Sequence, residues 1–342
     1  MTKNAAPTMR AARLRYPDLE LRIEEVPRPA PGPGEVLVEV KAAGVCLSDV
    51  HLVDGTLGRG PHLTADAVTL GHEVAGVVAT TGPGVTAWRP GDRVVLQAGE
   101  TRDGQVWTRG VDYDGGWAEY ALATATTLFA LPDTIPFAQG AIIPDAVSTP
   151  WGAITATAGI RPAQAVGVWG VGGLGAHGVQ LLRAVGAHPV VAVDPAPAAR
   201  ARALAFGADL ALDPADPGLQ DAVRAATGGA GLAAAFDFAG VDAVREQALG
   251  ALGPGGSLVL VGLTGTPLRV TDSTAFSFLG QRILGHYGSD ETAVPQLIGL
   301  TAGGRLDFSR SITDVLPLDA AAEAVARVHA KTGDPIRLVL TP

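Results

Sequence analysis

The sequence predicts an α/β protein in which a mainly β domain is joined to a doubly wound, parallel six-stranded sheet. Three observations carry this reading. At 342 residues the chain is too long for one ordinary core, and roughly 100–200 residues per domain implies two. From residue 165 onward short apolar runs alternate with Ala-rich helical patterns, the signature of parallel strands covered on both faces. The preceding part is rich in β-branched residues and punctuated by "PGPG" and "GPG" turns.

In the N-terminal part "GEVLVEV", "GHEVAGVVATTG", "GDRVVLQ" and "WAEYALATATTLFAL" read as strands of a barrel-like domain. The stretch 97–117 between them reads as a polar loop. "AVGVWG", "PVVAVD", "ADLALD", "AAAFDFAG", "SLVLVGL" and "RILGHYG" are the expected parallel strands, with helices at 175–186, 198–206, 218–227 and 241–250. A helix in "DAAAEAVARVHAKTG" and a strand in "PIRLVL" follow, and this tail is expected to return to the first domain. The expected division is 1–148, 149–286 and 287–342.

Composition narrows the function. Hydrophobic residues at 47% and charged residues at 17% describe a well-packed globular protein. No apolar run reaches the roughly 20 residues of a membrane span, and the N-terminus has no apolar signal core, so a cytoplasmic protein is expected. A net charge of −9 argues against a nucleic-acid partner and leaves small molecules as the expected ligands. The single cysteine, Cys46, rules out an intrachain disulfide and is a buried filler, a reactive thiol or a metal ligand.

"GVWGVGGLGAHG" places Gly170, Gly172 and Gly175 in GxGxxG spacing between a strand and a helix. The first glycine allows a tight turn, the second admits a pyrophosphate, and the third lets helix and strand pack closely. A Gly-rich turn without ligand is the bland alternative, but Asp194 ends the next strand where a carboxylate meets the adenosine ribose diol. Dinucleotide binding is therefore expected. Cys46 in "GVCLSDVH", His72 and Glu73 in "GHE", and Asp145 in "IIPDAVSTP" supply thiolate, imidazole and carboxylate, a donor set suited to catalytic zinc. Spacing alone leaves open a buried thiol, a core histidine and a capping aspartate.

These stretches together resemble the zinc-dependent alcohol dehydrogenases of the medium-chain dehydrogenase/reductase superfamily, from "MRAARLRYPDLELRIEEVPRPAPGPGEVLVEVKAAGVC" through "GHEVAGVV" and "GVGGLG" to "PIRLVL". The resemblance begins near Met9, which makes residues 1–8 an extension. It implies a GroES-like β domain interrupted by a Rossmann domain, and one catalytic zinc held by Cys46, His72 and Asp145, with Glu73 as an occasional fourth ligand. It implies NAD as cofactor, a proton relay through Ser48 and His51, and Asp49 orienting the histidine ligand. It implies cofactor contacts from Thr149, Gly173, Leu174 and Arg337, the last to the pyrophosphate. Relatives often carry a lysine near the adenine ribose, where this chain has Ala199 followed by Arg200. The four-cysteine lobe that holds a structural zinc in many members has no counterpart, so no structural zinc is expected, and Trp107, Tyr113 and Trp117 are expected to pack that region down. Homodimers or homotetramers are implied. The competing readings are a zinc-free quinone or enoyl reductase of the same fold and a non-catalytic NAD-binding protein.

Overall fold

The structure is a computed structural model describing residues 7–288 and 292–342; the expectations for residues 1–6 of the extension and for 289–291 lie outside the described residues. The chain divides into two compact units, Met1–Ala146 with Val294–Pro342, and Val147–Ala293.

The first unit opens with the antiparallel pair β1 (Thr8–Arg15) and β2 (Glu20–Pro27). β2 is an edge strand lined with Glu20, Arg22, Glu24 and Glu25, charges that discourage further pairing. β3 (Glu35–Val45) is buried along most of its length, because its Val, Leu and Ala residues face a core on both sides. It runs directly into the short helix α1 (Leu47–Val53). β4 (Ala67–Thr69) pairs with β1, and β5 (Val74–Thr81) and β6 (Arg93–Leu96) extend the main sheet from β3.

The next stretch departs from expectation. In place of a polar loop, β7 (Gly99–Arg102) and β8 (Gln105–Thr108) form a hairpin. Its turn is Asp103-Gly104, both with positive φ (49° and 77°), the Asp-Gly arrangement whose twist matches paired strands. The flanks "GETR" and "QVWT" lack a clean apolar alternation, which is why the turn signal stood without visible strands. Aromatic stacking holds the hairpin. The Arg102 guanidinium lies 4.7 Å from the Trp107 ring and 4.6 Å from that of Tyr113, and His62 stacks on Trp107 at 4.5 Å. β9 (Tyr120–Thr124), β10 (Leu128–Ala130) and α2 (Phe137–Ile142) follow.

The second unit begins with α3 (Ser148–Gly152) and builds a parallel sheet from β11 (Val166–Trp169), α4 (Gly175–Val185), β12 (Val190–Val193), α5 (Pro197–Ala205), β13 (Leu210–Leu212), α6 (Leu219–Ala226), β14 (Leu232–Asp237), α7 (Asp242–Gly250), β15 (Leu252–Leu260), α8 (Ser273–Phe278) and β16 (Arg282–Gly285). Its strand order, β13-β12-β11-β14-β15-β16, is that of a doubly wound dinucleotide-binding sheet. β11 and β12 are buried at every residue, as their continuous apolar runs require. β15 starts five residues before the expected Ser257. The intervening "GPGG" is absorbed as a bulge, between the pairs Leu232↔Leu252 and Ala234↔Ser257. Asp237 closes β14 by accepting from the N–H groups of Ala239 and Gly240 and pairing with buried Arg245 at 2.8 Å.

The tail comprises α9 (Ala293–Ala302), β17 (Ile312–Pro317), α10 (Ala321–His329) and β18 (Arg337–Thr341). β18 lies antiparallel to β3, pairing Leu338 with Val45, so Arg337 adjoins the end of the strand that delivers Cys46. Among the described residues no helix is long and apolar enough to cross a membrane.

Candidate metal and cofactor sites

The metal cluster is built where three backbone segments of the first unit meet. β3 hands over to α1 at Cys46, which sits at the N-cap with its thiol buried. Asp49, at the third position of α1, accepts the Cys46 N–H at 2.8 Å through Oδ2 and closes the helix end. Its Oδ1 points to His72, 3.6 Å from Nδ1. One oxygen of the carboxylate thus caps the helix, while the other faces His72 beyond hydrogen-bond distance.

His72 and Glu73 immediately precede β5. Asp145 stands in a single wide turn, Ile143–Val147, with π-type hydrogen bonding. Pro144 in this turn has no N–H to give to an α-helical ladder, and wide turns of this kind concentrate at functional sites. The side chains converge. Asp145 Oδ2 lies 3.4 Å from Cys46 Sγ and 3.4 Å from His72 Nε2, and one ligand atom from each of Cys46, His72, Glu73 and Asp145 falls within 4.8 Å of all the others. A tetrahedral zinc with Zn–S of about 2.3 Å and Zn–N or Zn–O of about 2.0–2.2 Å separates its ligand atoms by about 3.3–3.6 Å. The residues therefore fit the ion, both in donor chemistry and in spacing.

The electrostatics point the same way. Burial pushes the Asp49 carboxyl up, against the pull of His72 and the Cys46 N–H. Burial works against a charged His72, but Asp49 and Asp145 outweigh it and hold the imidazole well above its ordinary value. Burial raises Glu73 to about 8 despite Arg337 beside it. Four acidic or thiol groups thus share a dry space in which, among described side chains, Arg337 and the imidazole are the cations at hand, a balance that a dication completes.

Arg337 stands where sequence reasoning did not put it. Its guanidinium is 3.1 Å from Glu73 and 3.9 Å from Asp145, and Nη1 donates to the Val45 carbonyl at 3.2 Å. Glu73 itself occupies the volume beside Gly44, where a Cβ would come within 1.9 Å of its carboxylate. The isolated glycine in "AAGVC" was the available signal for that close approach. Ser48 presents Oγ 3.7 Å from Cys46 Sγ at the rim of the cluster, and half-buried His51 follows one turn later on the same helix.

The second unit carries the nucleotide features. Gly170 adopts φ +87°, which a side chain disfavours; a Cβ on Gly172 would meet nothing within 4 Å; and one on Gly175 would strike the Gly170 carbonyl at 1.8 Å. These are the turn, the open approach and the close packing that a pyrophosphate-binding loop needs, so the loop fits the cofactor. Gly173 accepts a hydrogen bond from buried His177 at 2.7 Å, with the proton placed on Nδ1. Leu174 caps α4, and Thr149 is buried in α3. Asp194 accepts the N–H of Val171 at 2.7 Å and that of Ala196 at 2.9 Å, which fixes its carboxylate at the edge of the glycine loop. Ala199 is buried. Arg200 spends Nη1 on Asp213 at 3.0 Å and on the carbonyls of Asp194 and Pro195.

Residues 32–133 match the alcohol dehydrogenase GroES-like domain and residues 173–303 the zinc-binding dehydrogenase domain. An alcohol dehydrogenase of Geobacillus stearothermophilus is 32% identical over 327 residues, covering 91% of this chain and 93% of the relative. The fold is similar to that of 2R,3R-butanediol dehydrogenase from Bacillus subtilis, with a TM-score of 0.89 at 26% identity over 98% of this chain and 99% of the other. It is also similar to a zinc-binding dehydrogenase of Sinorhizobium meliloti 1021 bound to NADP, with a TM-score of 0.88 at 26% identity over 98% and 100%. With its metal cluster and its nucleotide loop in place, the chain belongs to the zinc-dependent, nicotinamide-linked alcohol dehydrogenases of the medium-chain dehydrogenase/reductase superfamily, oxidoreductases acting on CH–OH donors.

Proposed function

We propose that this chain interconverts an alcohol and its aldehyde or ketone with NAD as hydride carrier, using one zinc held by Cys46, His72 and Asp145, with Glu73 at hand as a fourth donor. The observation that carries this reading is the convergence of four ligand atoms within 4.8 Å. A zinc-free reductase would have no use for a buried thiol, imidazole and two carboxylates at that spacing, and a non-catalytic nucleotide binder no use for a hydroxyl on their rim.

Zinc bound there would supply a Lewis acid that makes an alcohol oxygen acidic near neutral pH, and a bound nicotinamide would supply the hydride acceptor. The chain's own residues do the rest. Asp49 Oδ1 faces His72 Nδ1, the arrangement that would favour the proton on Nδ1 and leave Nε2 for a metal. Ser48 Oγ accepts the alcohol proton as it gives up its own, and His51 at the outer end of the relay releases a proton to solvent. Thr149, Gly170, Gly172, Gly173, Leu174 and Gly175 seat the cofactor and Asp194 takes the adenosine ribose, while Arg337, buried against Glu73, serves the metal cluster instead of the pyrophosphate. The "LQAGETRDGQVWTRGVDYDGG" region contains no cysteine, so a second, structural zinc has no thiolate ligands there.

We assign the protein to the cytoplasm and to a homodimer or homotetramer. β16 is the edge of its sheet, and Phe278 and Tyr287 flank it at 89% and 67% exposure, an apolar margin suited to a second copy. One preparation tests the whole reading: elemental analysis gives one zinc per chain, sedimentation gives a multiple of the chain mass, and nicotinamide absorbance follows an alcohol panel. Two tightly held zincs, a monomer, or no turnover with any alcohol would each remove the corresponding part.

Cofactor choice follows from Asp194. A 2′-phosphate placed against its carboxylate meets like charge, and at a solvent-exposed edge the discrimination is about 2 kcal/mol, or about 30-fold in kcat/KM. The wild type should prefer NAD by that factor, because Arg200 is already engaged by Asp213 and Arg202 by the Val171 carbonyl. Asp194→Ser should erase most of the preference. A wild-type preference for NADP, measured with one turned-over alcohol, would remove Asp194 from this role.

A further inference from the structure

Two of the metal-binding segments are joined by a side chain outside the ligand set. Trp117 is fully buried, and its indole Nε1–H donates to the Gly44 carbonyl at 3.0 Å, two residues before Cys46. The same ring fills the space beside Gly71, one residue before His72. A Cβ there would lie 2.2 Å from Cδ1 of the indole, and Gly71 has φ +93°. The backbone repeats the connection: Gly115, Gly116 and Trp117 donate in turn to the carbonyls of Thr69, Gly71 and Leu70 at 2.7, 2.8 and 2.9 Å. Gly44 donates to the Glu73 carbonyl at 2.8 Å, closing the loop. Trp117 is thus a crossbar whose one end bears on the Cys46 segment and whose other bears on the His72 segment.

We propose that Trp117 is a positioning residue for the metal: its indole N–H and ring fix the separation of the Cys46 and His72 ligands. The proposal rests on the zinc reading above. A metal needs its ligand atoms at fixed separations, and partners outside the ligand set that hold them there typically account for 10–100-fold in metal affinity. Removing the N–H lets the Gly44–Cys46 segment drift relative to His72 while every ligand remains in place. The cost then falls on the metal more than on the fold.

Trp117→Phe tests this, with Trp88→Phe, at a half-buried indole, as control. Trp88 also donates its indole N–H to a backbone carbonyl of the same unit, that of Ala125 at 2.8 Å, but bears on neither ligand segment. Zinc affinity is read by competition with a chromophoric chelator, ligand geometry by the visible spectrum of the cobalt-substituted protein, and the fold by thermal unfolding of the apoprotein. Trp117→Phe should weaken zinc about tenfold and shift the cobalt bands, with no greater loss of apoprotein stability than the control. Zinc affinity within about twofold of wild type, or equal weakening in both variants, overturns the proposal. If Trp117→Phe does not fold, 3-benzothienylalanine at position 117 keeps the bicyclic shape and lacks only the N–H, and the same readouts apply. A wild-type chain that retains no zinc would instead overturn the zinc reading itself.

Discussion

Replacing Cys46 with serine is expected to strip most of the zinc from the protein and to lower kcat/KM by about 5 kcal/mol, nearly four decades. The soft thiolate is the chain's only sulfur ligand, and a serine hydroxyl keeps its proton at neutral pH and binds zinc poorly. The metal's contribution to the barrier, several kcal/mol of charge stabilisation on the substrate oxygen, goes with it. The fold should remain. Cys46 lies at the end of a strand whose packing comes from Val36, Val38, Val40 and Val45, and the second unit has a core of its own. Elemental analysis, circular dichroism and initial rates on one preparation check all three statements. Full turnover by Cys46→Ser would end the catalytic-metal assignment.

Ser48→Ala should do the converse, keeping the zinc while lowering kcat by ~10²–10⁴-fold, the usual contribution of a general acid–base group. The Ser48 hydroxyl accepts only a long hydrogen bond from Cys46 Sγ and takes no part in capping α1, which Asp49 secures, so its removal leaves every ligand and the helix cap in place. The loss should fall on kcat, with cofactor affinity and zinc content near wild type, because a proton acceptor acts as the alkoxide develops. An unchanged kcat would leave the proton with another acceptor and take Ser48 out of the mechanism.

The second unit was legible because its physics is local. Strands buried on both faces must be continuously apolar, and β11, β12, β14 and the second half of β15 announce themselves in this way. The glycine loop was legible for the same reason, since each glycine answers a separate steric demand. The β7–β8 hairpin was hidden because its stability comes from Arg102 lying between two rings, a contact between residues that no period connects. Arg337 was hidden more deeply. Its neighbour Glu73 is 264 positions away, and only the antiparallel pairing of β18 with β3 brings them together. Trp117 was read as a packing residue, and it is one. That its ring bears on the approaches to two ligands follows from Gly44 and Gly71, whose missing side chains mark contacts that the sequence does not name.

The carboxylate of Glu73 lies in the place where residue 44 would carry its first carbon, and this orders the routes by which the site can diverge. Alanine at 44 is blocked while the glutamate stands. Shortening Glu73 removes the closest of these contacts but leaves its own Cβ 2.9 Å away, and it takes from Arg337 its nearest counter-ion in a buried setting. Positions 44, 73 and 337 therefore change as a set, the first only after the second and the third in response, and their effects cannot be added one by one. A lineage that acquired a side chain at 44 would be one that had already given up its buried acid, so the identity of a single strand residue records whether the Glu73 carboxylate is still there.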